Sequence, residues 1–244
     1  MKNVKLTIEY DGTNYHGWQV QSNAKTVQGT VERAIRGLTG EEITITGSSR
    51  TDQGVHAYGQ VANFLTQSNI PQDRFSYALN RMLPDDIVIK KSEEVSLDFH
   101  ARHCSKGKKY RYLIYNSSFP SAIFRNRAYH VSHQLDFEEM QKSIGYFLGT
   151  HDFSAFRSTG SSVKTSVRTI FDVKLTKSED NIWFEVSGDG FLYNMVRIIV
   201  GTIVDVGMGR IKSKEIPSII ESLERKRAGR TAPPQGLYLV EVYY

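Results

Sequence analysis

The chain has 244 residues, 39% hydrophobic and 23% charged, with a net charge of +5. That length and balance exclude a disordered segment and leave room for one large domain or two of about 120 residues, each with a real core. The single cysteine, Cys104, excludes an intrachain disulfide and a CxxC metal site.

The chain opens on Val4-Lys5-Leu6-Thr7-Ile8, an alternating strand pattern that stops at Asp11-Gly12 and is not an apolar signal segment. Tyr15, His16 and Trp18 follow in a loop and read as hooked back into the core. Val27, Val31, Ala34, Ile35 and Leu38 share one helical face, and Gly40 ends that helix. A β-branched strand over 42–46 leads into the polar stretch Gly47-Ser48-Ser49-Arg50-Thr51-Asp52-Gln53-Gly54-Val55-His56-Ala57, and a strand over 55–64 leads away. Pro71 opens a second helix to about Met82, stopped before Pro84, and Ile87 to Val95 is a strand. The order is β-α-β-β-α-β, the split βαβ (ferredoxin-like) pattern. Polar residues from Asp98 to Ser105 mark a boundary, giving halves of 1–103 and 104–244.

The second half repeats the order. Lys108 to Asn116 is a strand, and Phe137, Met140, Ile144 and Leu148 mark a helix with Asp136 as N-cap. Strands near 167–176 and 182–188 precede an apolar helix over 191–207, an inserted helix over 214–224 and a last strand, Leu237 to Tyr244. The expected fold class is α/β (α+β), with two similar halves whose antiparallel sheets join into one platform. Phe153 to Val167, rich in Ser, Thr and basic residues, reads as a mobile loop. The most apolar window, Phe191 to Met208, holds Asn194, Arg197 and Asp205 and is too polar and short for a membrane span. A cytoplasmic protein with no membrane partner is expected.

Positive charge is segregated. Ala101 to His130 carries seven Lys/Arg, Phe153 to Phe171 three and Arg225 to Val240 four, all without an acid. Such blocks are an electrostatic footprint for a polyanion, and they favour nucleic acid over an ordinary solvated face. Six histidines (56, 100, 103, 130, 133 and 151) show no paired spacing of a zinc site. There is no G-x-G-x-x-G and no P-loop, and Gly207-Met208-Gly209 is too short for a nucleotide fingerprint. Neither a metal nor a cofactor is expected.

Three sites invite chemistry. Asp52 stands two residues before Gly54, and on spacing alone its structural reading as a turn residue comes first; Arg50 beside it could grip a phosphate. Arg197 lies in a helix apolar on nearly all sides, so its guanidinium needs a carboxylate or several acceptors unless it snorkels from the helix edge. Tyr110 is interleaved with Lys108, Lys109 and Arg111, which suits a base stacked on the ring with cations at phosphate, or equally a core tyrosine on an alternating strand.

Gly47 to Ala57 resembles, nearly letter for letter, the motif G-x-x-R-T-D-x-G-V-H-A of the tRNA pseudouridine synthase A (TruA) family. Gly188 to Arg197, the K-x-Y-x-Y block at Lys108 to Tyr112 and the closing segment Ala232 to Val240 are similar to further blocks of that family. The resemblance runs from about Leu6 to Tyr243. It implies the pseudouridine synthase fold, with RRM-like halves, and isomerisation of uridine to pseudouridine at positions 38–40 of the tRNA anticodon stem-loop. It makes Asp52 the nucleophile, has Arg50 hold the extruded base or its phosphate, sets Tyr110 against the target base and pairs Arg197 with Asp52 across the halves. It also implies no cofactor and a homodimer in which one tRNA touches both subunits. Ser49 and Gln53 depart from the small Gly or Ala common there, as in a diverged paralogue with other target uridines. A non-catalytic tRNA-binding module would share the basic surface and the aromatics; Asp52 separates the two.

Overall fold

The computed structural model describes residues 1–160 and 165–244. Residues 161–164, within the stretch read as a mobile loop and including Lys164, lie outside the described residues. Strand β1 (Lys2–Tyr10) alternates as its sequence dictates, with Val4, Leu6, Ile8 and Tyr10 buried and Lys5, Thr7 and Glu9 more open. It pairs antiparallel with β3 (His56–Thr66) on one side and β4 (Ile87–Val95) on the other. The far edge of β3 is shared. Strand β2 (Thr46–Gly47) pairs antiparallel with Asn63 and Ala62, and β10 (Leu237–Tyr243) runs parallel beside His56 and Ala57. Helix α1 (Val27–Thr39) starts on Thr26, whose side chain accepts the Gly29 N–H, and stops on Gly40 at φ +73°. Pro71 leads into a 3-10 turn, Gln72–Arg74, and then the short helix α2 (Phe75–Asn80).

Strand β2 is shorter than the expected 42–46. The Ile45 N–H donates to Glu32 Oε1 (3.0 Å) and its carbonyl accepts from Gln28 Nε2 (3.2 Å), so two side chains of α1 hold the backbone that a ladder would need. Tyr15 and Trp18 are buried as expected, each at 2% exposure or less, whereas His16, expected with them in the core, is exposed.

The chain forms two compact units, Met1–Lys106 with Tyr238–Tyr244, and Gly107–Leu237. The terminal strand, expected in the second half, belongs to the first unit. It is held there by β3, and the Tyr238 ring stacks on His56 (4.9 Å) and Tyr58 (5.2 Å).

In the second unit, β5 (Gly107–Asn116) pairs antiparallel with β9 (Asn181–Gly188), β9 with β8 (Val167–Ser178), and β8 with β7 (Gly149–Asp152). A further strand, β6 (Tyr129–Val131), lies parallel to the end of β5. Strands of three and four residues are too short to show an alternation, which is why β6 and β7 escaped the sequence. Helix α3 (Phe137–Ile144) is capped by Asp136, whose side chain accepts the Glu139 N–H, and it passes into a 3-10 turn at Gly145–Phe147. Helix α4 (Met195–Gly207) buries all but one of its residues, and α5 (Ile216–Ser222) follows. The stretch from Phe153, read as a mobile loop, begins in the core. Phe153 and Phe156 are fully buried, and Phe156 meets Phe147 edge-on at 5.3 Å. Among the described residues no helix is long and apolar enough to cross a membrane.

Candidate active site

The polar loop between β2 and β3 is held from three sides, all within the first unit. Behind it lies Gln60 of β3, fully buried. Its Oε1 accepts from Ser48 Oγ (2.8 Å) and the Ser49 N–H (3.3 Å), and its Nε2 donates to the Ser49 carbonyl (2.7 Å). Above it, Thr51 shares a hydrogen bond with Tyr10 Oη (2.7 Å), and the Thr51 carbonyl accepts the Trp18 N–H (3.0 Å). That approach requires Gly17, at φ +86°, because a Cβ there would stand 2.5 Å from the Thr51 oxygen. At its end, the Val55 N–H donates to the Asp52 carbonyl (3.2 Å), closing a four-residue turn whose third residue, Gly54, takes φ +77°.

The loop therefore satisfies the structural reading of Asp52 and leaves room for the chemical one. The turn uses its backbone carbonyl. Asp52 itself is half-buried and Arg50 is exposed. Immediately after the turn, His56 is fixed by the Gly12 N–H, which donates to Nδ1 (3.1 Å), and by the stacked Tyr238 ring. The Ser49 hydroxyl is buried with no hydrogen-bond partner among the described residues, so this position suits the smaller Gly or Ala.

In the second unit, Arg197 stands near the start of α4 and its contacts explain how a guanidinium is tolerated there. Its Nε donates to the Ala232 carbonyl (2.7 Å) and its Nη1 to Asn194 Oδ1 (2.8 Å), while its own carbonyl accepts the Ala232 N–H (3.0 Å). The closing segment thus clamps Arg197 from both ends of the residue. The same segment accepts the Tyr112 hydroxyl at the Pro233 carbonyl (2.6 Å).

Tyr110, on β5, is 8% exposed and packs edge-on against Phe191 at 5.1 Å. Strand alternation puts Lys108 on the face of Tyr110, and Lys109 and Arg111 on the other. Both of these meet Glu185, directly across from Arg111 on β9: Lys109 Nζ lies 2.9 Å from Oε2, and Arg111 Nε donates to Oε1 at 2.6 Å. Burial would raise the Glu185 carboxyl, but the two cations outweigh it and hold it below the usual carboxylate range. Arg111 also lies 5.2 Å from the Trp183 ring centroid. Lys109 and Arg111, read from the sequence as partners of Tyr110 in one patch, are thus set apart from it. Among the described residues no three His, Cys, Asp or Glu side chains group as a metal site.

Gln60, Ala232 and Glu185 carry much of this arrangement and were missed from the sequence. Each acts on a residue distant in the chain, and only the Glu185 pairing follows from a strand register.

Two α/β units, the first carrying an acid-bearing loop hydrogen-bonded on three sides, set the class of the protein as α/β, and comparison with known proteins places it. A family model described as tRNA pseudouridine synthase matches residues 6–103 and 144–244. Proteins named tRNA pseudouridine synthase A from Acetivibrio thermocellus and Ruminiclostridium cellulolyticum are 73% and 62% identical, each over the full length of both chains. A protein of Clostridium perfringens named tRNA pseudouridine synthase A 2 is 55% identical, again over both full lengths. The chain belongs to the tRNA pseudouridine synthase family. It is a tRNA-uridine isomerase, and its substrate class is tRNA.

Proposed function

We propose that this protein converts uridine to pseudouridine at positions 38–40 of the tRNA anticodon stem-loop, with Asp52 as nucleophile. The observation that supports this most is the loop itself: a half-buried aspartate on a turn whose backbone is hydrogen-bonded on three sides. Such pre-organisation is what a nucleophile needs and an ordinary surface turn does not.

On this reading the target uridine leaves its stack, at a cost of a few kcal/mol. Asp52 attacks the base or the sugar carbon, and the C1′–N1 glycosidic bond breaks. The uracil turns, C1′ bonds to C5 as the bond to Asp52 breaks and frees the carboxylate, the C5 proton passes to solvent and N1 gains one, so the reaction is a net isomerisation. Tyr110 packs against the extruded base, and Arg197, fixed by Ala232 and Asn194, orients the Asp52 carboxylate. Arg50 and Lys108 meet phosphate. Lys109 and Arg111 spend their charge on Glu185 and are left out of this set. No cofactor takes part. The protein works as a cytoplasmic homodimer in which one tRNA touches both subunits; a monomer mass on sedimentation with tRNA bound would contradict the dimer.

The test uses tRNA transcripts labelled with tritium at uridine C5, with uridines 38, 39 and 40 replaced singly and together by cytidine. Tritium release is expected from the wild-type transcript and is expected to vanish from the triply replaced one. Undiminished release from the triple replacement would move the target elsewhere in the tRNA.

A further inference from the structure

A cavity of about 240 Å³ opens beside the catalytic loop, wholly within the first unit. Trp18, Gln28 and the Thr46-Gly47 strand line it, together with Arg50, His100, Arg102 and His103. Among the described residues no carboxylate lines it. Gln28 is already engaged: its amide donates to Glu32 (2.8 Å) and to the Ile45 carbonyl (3.2 Å), and its oxygen accepts the Val20 N–H (3.2 Å). The Glu32 carboxylate behind it also accepts the Ile45 N–H.

We propose that this cavity is a phosphate-binding site that takes a phosphodiester of the RNA strand, with Arg102, His100 and His103 completing a grip begun by Arg50. The assignment rests on tRNA being the substrate.

Charge and donor geometry carry it. Among the described residues, neither the Arg50 nor the Arg102 guanidinium makes a hydrogen bond or an ion pair. Partial burial, and then the charge of Arg50, hold the Arg102 pKa below its ordinary value, so the two cations share one space without a counter-charge. A tetrahedral anion between two guanidinium forks relieves that repulsion and fills their donors.

His100 adds a neutral donor. His100 Nδ1 accepts the N–H of Arg102 (3.2 Å) and of His103 (3.3 Å), which leaves the proton of the neutral ring on Nε2 as a donor. Burial, His103 and Arg102 hold the His100 pKa down, which keeps that tautomer at neutral pH. The His103 ring lies 4.1 Å from the His100 ring. Arg50, Arg102 and His103 are all exposed, which suits a link in a passing polymer better than an enclosed free ion.

The test is the salt dependence of tRNA binding, which needs no turnover. Unmodified transcript is titrated at a series of salt concentrations with wild type, Arg102→Gln, His103→Ala and the control Arg36→Gln. Arg36 is an exposed arginine already paired with Glu42 at 2.8 Å, so its loss makes the same change in net charge. Losing one phosphate contact makes the slope of log K against log salt shallower by about one and weakens binding about tenfold at moderate salt. That is expected of Arg102→Gln and not of Arg36→Gln. His103→Ala, at an exposed position, is expected to weaken binding in the same direction and stands in if Arg102→Gln fails to fold. Slopes and affinities equal to those of Arg36→Gln would overturn the proposal. If inorganic phosphate, against chloride at equal ionic strength, shifts the imidazole resonances of His100 and His103 while the slopes stay at the control value, the cavity takes a free anion and the RNA assignment fails. A wild type that binds tRNA but releases no tritium would count against the proposed reaction and not against this site.

Discussion

Gly201→Ala is expected to lower the melting temperature and slow turnover. In an exposed helix this change stabilises by roughly 1 kcal/mol. In α4 an alanine Cβ at 201 would stand 1.8 Å from the Arg230 carbonyl oxygen, a backbone atom that cannot rotate away. The segment over 229–232 must then move off the helix by roughly 1.5 Å to reach ordinary contact. Three bonds cross that seam: Gly229 N–H to Thr202 Oγ1 (2.9 Å), Ala232 N–H to the Arg197 carbonyl, and Arg197 Nε to the Ala232 carbonyl. Overpacking costs about 3 kcal/mol, which outweighs the propensity gain and leaves a loss of about 2 kcal/mol. In a chain of this size that lowers Tm by roughly 4–8 °C. On the proposed role of Arg197, its displacement also cuts kcat at least about tenfold. Gly145→Ala makes the contrast. It lies at a helix end with φ −61° and open space around the new methyl, so it is expected to be neutral or stabilising by about 0.5 kcal/mol. A Tm for Gly201→Ala at or above wild type would show that the seam is not as tight as described.

Gln60→Leu acts on the other side of the proposed chemistry. The leucine fills nearly the same volume, so little cavity forms. It strands the Ser49 N–H and the Ser49 carbonyl, and takes one partner from the Ser48 hydroxyl, in a place where Gln60 is wholly buried. Each orphaned group costs roughly 1–3 kcal/mol, less what local relaxation recovers, so a loss of about 3–5 kcal/mol is expected in urea unfolding with an unchanged m-value. The residues released lie three and four positions before Asp52, and kcat is expected to fall by about a hundredfold or more while tRNA affinity changes little. Wild-type stability together with wild-type kcat would mean that the loop does not depend on this clamp.

Both residues show where the sequence stopped being readable. Local signals carried far: the alternation of β1, the Thr26 and Gly40 ends of α1 and the Asp136 cap of α3 were all visible, and β4 runs over the 87–95 expected. The motif at 47–57 was visible as a polar interruption between strands. Gln60 was not, because a glutamine in a strand reads as solvent-facing until its partners twelve residues earlier fold back on it. Gly201 reads as a weak spot in a helix, and only the distant 229–230 backbone turns it into a requirement. The parallel pairing of β10 with β3 joins residues about 180 positions apart, which no local pattern announces. Arg111 and Lys109 looked like free cations in an acid-free block, yet Glu185 lies opposite them on the partner strand. Phe153 and Phe156, in a stretch of loop-like composition, are core residues because Phe147 lies beneath them.

The proposed chemistry depends on Asp52 more than on any other residue. Tritium release from tRNA labelled at uridine C5, measured for wild type and Asp52→Asn side by side with tRNA binding checked for both, tests it most directly. The asparagine keeps the size of the side chain and leaves the turn through the residue 52 carbonyl intact, so the fold and the binding are expected to persist. Release by wild type and none by the variant, with binding kept, is the predicted result. Release by Asp52→Asn at the wild-type rate would contradict the assignment of the nucleophile.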